Sequence, residues 1–146
     1  MPEQGIARYK YIFNEMLRMT DDGFIVVDKD GIVTDVNDQY CDFLGKPREE
    51  IVGFSILKTI SNSKMVDIVK RRYSEELALH KFMPGDTKEH DNNFVLVSRS
   101  CVCDDQDQAV AGVAQVKFRL QTLDSAKRLM SEYAELEFYR EEFRKS

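Results

Sequence analysis

Residues 21–53, DDGFIVVDKDGIVTDVNDQYCDFLGKPREEIVG, decide the fold. The apolar run 24–27 meets the turn Asp28-Lys29-Asp30-Gly31, and a second β-rich stretch, 32–36, follows at once. Asp30-Gly31 tolerates positive φ, so the spacing predicts a hairpin over 24–36. Asn37 or Asp38 then caps a helix over 38–44, because either side chain can accept from the free amides of a first turn. Tyr40, Phe43 and Leu44 recur there at helical spacing. Gly45 suits a left-handed exit. Pro47 opens a short turn over 48–52 and Gly53 closes it. This order builds one wall of a small cupped sheet.

Working outward, residues 6–19 read as an amphipathic helix, with Ile6, Tyr9, Phe13, Met16 and Leu17 on one stripe. Thr20-Asp21-Asp22-Gly23 ends it. Downstream, Phe54, Ile56, Leu57 and Ile60 fit a short helix only loosely. Asn62 or Ser63 caps a longer helix to about residue 73, with Met65, Val66, Ile68 and Val69 on its buried side. Residues 77–83 alternate as a strand that ends at Pro84-Gly85-Asp86, and 84–92 form a loop or hairpin tip. Residues 93–103 are the clearest long strand. Phe94, Leu96, Ser98, Ser100 and Val102 share one face; Val95, Val97, Arg99, Cys101 and Cys103 share the other. Residues 104–108 are a solvated turn, and 109–119 form the last strand. From Thr122 the period turns helical. A heptad with a at Ala126, Tyr133 and Arg140 puts d at Thr122, Leu129, Leu136 and Phe143, with Arg140 interrupting the seam.

The chain has 146 residues, enough for one domain with its own core. Hydrophobic content of 42% and charged content of 32% suit a globular protein with exposed helices. A net charge of −5 argues against direct nucleic-acid binding, and Lys70-Arg71-Arg72 reads as the solvated face of a helix. No apolar run approaches the ~20 residues that span a bilayer, and the N-terminus lacks a signal-peptide layout, so the expectation is no membrane and a cytoplasmic location. Three cysteines, an odd number, fit a reducing compartment better than a disulfide framework.

The order of elements over residues 21–119 resembles a PAS domain, a sensory and interaction module. The stretch FIVVDKDGIVTDVNDQYCDFLGKPREEIVG looks like the PAS domain that precedes the ATPase module of sigma-54-dependent transcriptional activators. So do Val97-Ser98-Arg99, the strand AVAGVAQVKFR and the helix with SEYAELEFYREEFRK. The resemblance implies an α+β PAS fold: a five-stranded antiparallel sheet, short helices on one face, and a helix at each end. It divides the chain into an N-terminal helix (1–20), a PAS domain (21–119) and a C-terminal signalling or linker helix (120–146). It also implies a partner AAA+ ATPase and a DNA-binding domain in the same polypeptide, with this chain as the sensory part. No GxxxxGK[ST] phosphate loop occurs in the chain. The alternative parent is a sensor histidine kinase, although the terminal helix contains no histidine to accept phosphate.

Arg99 interrupts a small, apolar strand face. A buried guanidinium needs a carboxylate, a carbonyl or an anion. The functional expectation is that Arg99 anchors a small anionic ligand in the cup, with Tyr40, Tyr73 and Val97 beside it. The plainer alternative is a salt bridge to one of the many acids, or exposure towards the terminal helices. No resident cofactor is expected, and an unidentified small molecule is the ligand sought. The long helix lacks the histidine of haem-binding relatives, and FSILKTISNSK lacks the cysteine of flavin photosensors. His80 reads as a structural or surface residue. Cys41, Cys101 and Cys103 with His80 or His90 could converge on a metal, but small buried cysteines are the reading favoured here. Cys101 and Cys103 would sit ~7 Å apart on a regular strand, too far for a relaxed disulfide. The pairs Glu49-Glu50, Glu75-Glu76 and Glu141-Glu142 read as solvated surface. No catalytic constellation assembles, so the chain is not expected to be an enzyme. A homodimer is expected through Tyr9, Phe13 and Met16 of the first helix and Leu129, Tyr133, Leu136 and Phe143 of the last. A dimerisation module without a ligand is the second reading.

Overall fold

A computed structural model of the chain describes residues 2–88, 94–118 and 123–145. In chain order the elements are α1 (Pro2–Met19), β1 (Gly23–Asp28), β2 (Val33–Val36), α2 (Asp38–Leu44), a 3-10 turn (Arg48–Glu50), α3 (Ile56–Thr59) and α4 (Met65–Arg71). Then come β3 (Ser74–Lys81), β4 (Phe94–Cys103), β5 (Ala109–Lys117) and α5 (Leu123–Lys145). The five strands form one antiparallel sheet in the order β2-β1-β5-β4-β3.

The hairpin is held by its own turn chemistry. Asp28 accepts from the backbone N–H groups of Asp30 and Ile32 through one carboxylate oxygen. Asn37 is the cap of α2, its oxygen accepting from the Tyr40 amide, and Gly45 leaves the helix at φ 72°. That left-handed exit is costly for a residue with a Cβ.

Inward-facing residues alternate along each strand. Ile25 and Val27 of β1, Val95 and Val97 of β4, and Ala114 and Val116 of β5 are buried. Tyr40, Leu44, Ile51, Ile56, Ile60, Met65 and Val69 cover them from the helical side. Helix α4 packs on β5 and β4. Gly112 permits this closeness, since a Cβ there would fall 2.8 Å from the Val69 side chain.

Three elements differ from the sequence reading. The long helix is shorter than expected. It begins at Met65, and its first amide is met by the Ser63 hydroxyl, whereas the Asn62 side chain donates across to the Lys81 carbonyl. Strand β3 starts at Ser74, not 77, because a bulge between Glu75 and Ala78 lets an acidic stretch join the sheet edge. Leu77, at φ 50°, points outward there. The alternation of β4 holds until its last residue, where the register with β5 slips between Val102 and Cys103.

Candidate functional site

Arg99 lies in the middle of β4, paired with Ala114 on β5 and Glu75 on β3. It faces the core and is 5% exposed. One guanidinium nitrogen donates to a Glu75 carboxylate oxygen at 2.8 Å, and the other lies 3.0 Å from His80 Nδ1. The expected anchor is therefore already neutralised by a carboxylate. Glu75, read as solvated surface, is that partner, 24 residues away in sequence.

The pairing fixes the state of His80. A guanidinium has donors only, so Nδ1 must accept and the ring proton sits on Nε2. His80 is 7% exposed, and among the described residues its Nε2–H meets no hydrogen-bond acceptor. Burial lowers its pKa to about 4, with the nearby Arg99 charge next in importance, then Lys64; Asp86 opposes the shift. Protonating Nδ1 would set an N–H against the guanidinium.

These groups border a cavity of about 20 Å³ between the sheet and the helices. Room for about one water remains. Tyr40, Val97, Arg99 and His80 line it with Ile60 and Met65. Burial also raises the Tyr40 hydroxyl pKa, against the opposing charge of Arg99. Tyr73 is not at the cavity. Arg72 ends α4 in the left-handed conformation and turns the chain, leaving Tyr73 half-buried beyond it. Of the residues that the sequence singled out, Arg99, Tyr40 and Val97 thus meet at the cavity, joined by His80, which reads from sequence as structural or surface. The signal was available, since His80 and Arg99 lie on adjacent strands with side chains on one face, but the pairing register was not.

The depressed His80 pKa carries a pH signature. In the unfolded chain the imidazole protonates near 6.5, whereas in the fold it resists until about 4. The unfolded state therefore binds more protons in that window, and stability is lost as pH falls from about 6.5 to about 4. The expected slope is up to about 1.4 kcal/mol per pH unit. Urea unfolding of the wild type and His80→Gln at pH 7 and pH 5 should show a smaller acid loss in the variant. Equal losses would remove His80 as the cause.

Outside the cavity, the residues assigned to dimerisation are mostly on the surface. Tyr9 is 68% and Met16 64% exposed, and Phe13 and Leu136 are also exposed. Tyr133 is half-buried and, with Glu137, lines a cleft against Leu79 and Phe94. The Leu129 and Phe143 side chains, like Thr122 and His90, lie outside the described residues. Among the described residues no cluster of three metal-ligating side chains occurs, and no helix is long and apolar enough to cross a membrane.

A five-stranded antiparallel sheet in this order, entered by a capped hairpin and covered by short helices, is the PAS fold. The family model described as the PAS fold matches residues 11–81. The chain carries a PAS-fold domain. Among solved structures, the Escherichia coli DhaR(N)-DhaL complex is similar at 15% identity and a TM-score of 0.60, over 77% of this chain and 37% of that one. The chain thus spans little more than a third of that protein. The PAS domain of Bordetella pertussis BvgS is similar at 14% identity and TM-score 0.58, over 88% and 98% of the two chains. The PAS domain of histidine kinase ThkA follows at 14% identity and TM-score 0.52, over 66% and 98%. At such identities the likeness concerns the fold. No curated protein matches the chain in sequence.

Proposed function

We propose that this chain is the sensory domain of a transcriptional regulator, with a compact ligand seated against His80 as input and α5 as output. The observation that carries the reading is the His80 Nε2–H, buried and without an acceptor among the described residues, on a ring that lines the cavity. A buried unpaired donor costs about 1–3 kcal/mol, which a ligand carrying a hydrogen-bond acceptor would recover. The ligand sought is small and offers a carbonyl, ether or ring-nitrogen acceptor. An anionic ligand would have to displace Glu75 from Arg99. Growth of the cavity falls to Met65 and Ile60, the flexible thioether being the easier to move.

The output follows from connectivity. β5 pairs with both β1 and β4 at the floor of the cup, and the chain runs from its end to α5. A coupling of about 1–3 kcal/mol between cup and helix is enough to change output severalfold to a hundredfold. The sequence likeness to sigma-54-dependent activators favours an ATPase and a DNA-binding domain as the receiver. A histidine kinase is the other host, in keeping with the fold shared with ThkA. The exposed stripe of α1 and the apolar residues of α5 favour a homodimer.

The small cavity favours a second reading, a dimerisation module whose cup is filled by its own side chains. A thermal-shift screen with small neutral carbonyl and heterocyclic compounds separates the two. On the sensory reading, some compounds raise the Tm of the wild type and leave His80→Phe unmoved, since ligand binding stabilises by about 2.7 kcal/mol at a hundredfold excess over Kd. A screen in which no compound shifts the Tm of either protein would favour the module.

A further inference from the structure

The far end of β4 holds a second site, independent of the cavity. On a regular strand Cys101 and Cys103 would be well separated. Here the β4–β5 register runs Val102 to Ala111 and then Cys103 to Ala109, so β5 carries an extra residue, Val110. That bulge twists the strand end. The two sulfur atoms lie 3.8 Å apart. The side chains thus converge from positions two apart on the strand until their sulfur atoms are in van der Waals contact. Cys101 is half-buried, with its sulfur 3.9 Å from the Val69 carbonyl of α4, and Cys103 is exposed.

The surroundings are polar and charged. Arg72, held left-handed at the end of α4, donates to the Asp107 carbonyl at 2.6 Å and lies 3.2 Å from its carboxylate. Burial is the main cause that raises the Cys101 pKa, and the neighbouring Cys103 thiol adds to it. Cys101 thus stays a thiol beside a solvent-facing partner. The third cysteine, Cys41, sits on α2, away from this end of the sheet.

We propose that Cys101 and Cys103 are an oxidation site that a hydroperoxide converts to an intrachain disulfide. The exposed Cys103, as thiolate, attacks one peroxide oxygen. An S–O bond forms, the O–O bond breaks, and the leaving oxygen takes a proton. The Cys101 sulfur then attacks the sulfenic sulfur of Cys103. An S–S bond forms, the S–O bond breaks, and the departing hydroxide leaves as water with the Cys101 proton. Two thiols lose two electrons, and hydrogen peroxide is reduced to two waters. The linkage would fix the bulge at the β4–β5 tip and draw Cys101 from the Val69 carbonyl, where α4 meets the sheet.

The test treats the fully reduced chain with near-stoichiometric hydrogen peroxide, then alkylates remaining thiols and maps peptides without reduction. The expected wild-type product is about 2 Da lighter before alkylation, with Cys101 and Cys103 in one linked peptide and a single alkylated cysteine, Cys41. Dithiothreitol should restore three alkylatable thiols. Cys101→Ser should leave a Cys103 sulfenic acid that dimedone captures, and Cys103→Ser should show no mass loss. Circular dichroism before treatment confirms that both variants are folded. Three thiols still free after peroxide, over-oxidation of Cys103 to a sulfinic acid without linkage, or a covalent dimer through Cys103 would each overturn the proposal.

Discussion

Replacing Asn37 with alanine is expected to destabilise the domain by about 3 kcal/mol, among the largest effects of any single polar substitution in the chain. Asn37 is buried, and its amide makes four hydrogen bonds. The oxygen accepts from the Phe24 amide at 2.9 Å and the Tyr40 amide at 3.3 Å; the nitrogen donates to the Leu17 and Asp22 carbonyls at 3.0 and 2.9 Å. One side chain therefore ties the end of α1, the turn after it, the first strand and the start of α2. Loss of the cap alone costs about 1 kcal/mol. The remainder comes from carbonyls and amides left partly buried without partners.

Asn37→Asp separates the two halves of that network. An aspartate keeps the cap but sets a charged oxygen against two carbonyls, of which that of Leu17 keeps only a long bond of 3.4 Å from the Gln39 amide. Its cost should be as large as that of alanine, although aspartate is as good a cap as asparagine on exposed helices. Urea unfolding reads this directly as a fall in midpoint at unchanged slope. A loss below about 0.5 kcal/mol for Asn37→Asp would show that the two carbonyls are satisfied by water.

Arg99→Ala is the second large effect, at about 3–5 kcal/mol, because removing one partner of a buried pair strands the other. Glu75 retains 27% side-chain exposure, which places the expected value near the lower end of that range. His80 Nδ1 also loses its donor. Arg99→Met combined with Glu75→Gln should recover part of the loss, since the pair is removed together and the volume largely kept. The pH dependence is the second readout. Without the Arg99 charge beside it, His80 protonates more readily, so the acid loss of stability should shrink in the variant. A double variant no more stable than Arg99→Ala would contradict the stranded Glu75 charge as the source of the cost.

The parts of the fold legible in the sequence were those set by local chemistry. Asp28, Asn37 and Gly45 announce turn, cap and exit within a few residues of the atoms they satisfy. The alternation of β4 put Arg99 on the core face without any knowledge of its neighbours. What stayed hidden depends on register between distant segments. Glu75 looks solvated beside Glu76, and only the bulge in β3 brings it opposite Arg99. His80 looked incidental because nothing in 77–83 says which face will be buried. The approach of Cys101 to Cys103 is set by side-chain orientation at the strand end, which the alternation of 93–103 does not specify. Tyr73 was misplaced for the same reason, since the left-handed turn at Arg72 uses no glycine or asparagine.

The central claim is that His80 presents a donor to a ligand in the cup. Native mass spectrometry of the chain, as isolated and again after incubation with a metabolite extract, tests it most directly. The account predicts a small molecule carried by the folded wild type, released on unfolding, and absent from His80→Phe treated in parallel. A wild-type spectrum showing the polypeptide mass alone under both conditions, or the same adduct on His80→Phe, would contradict it.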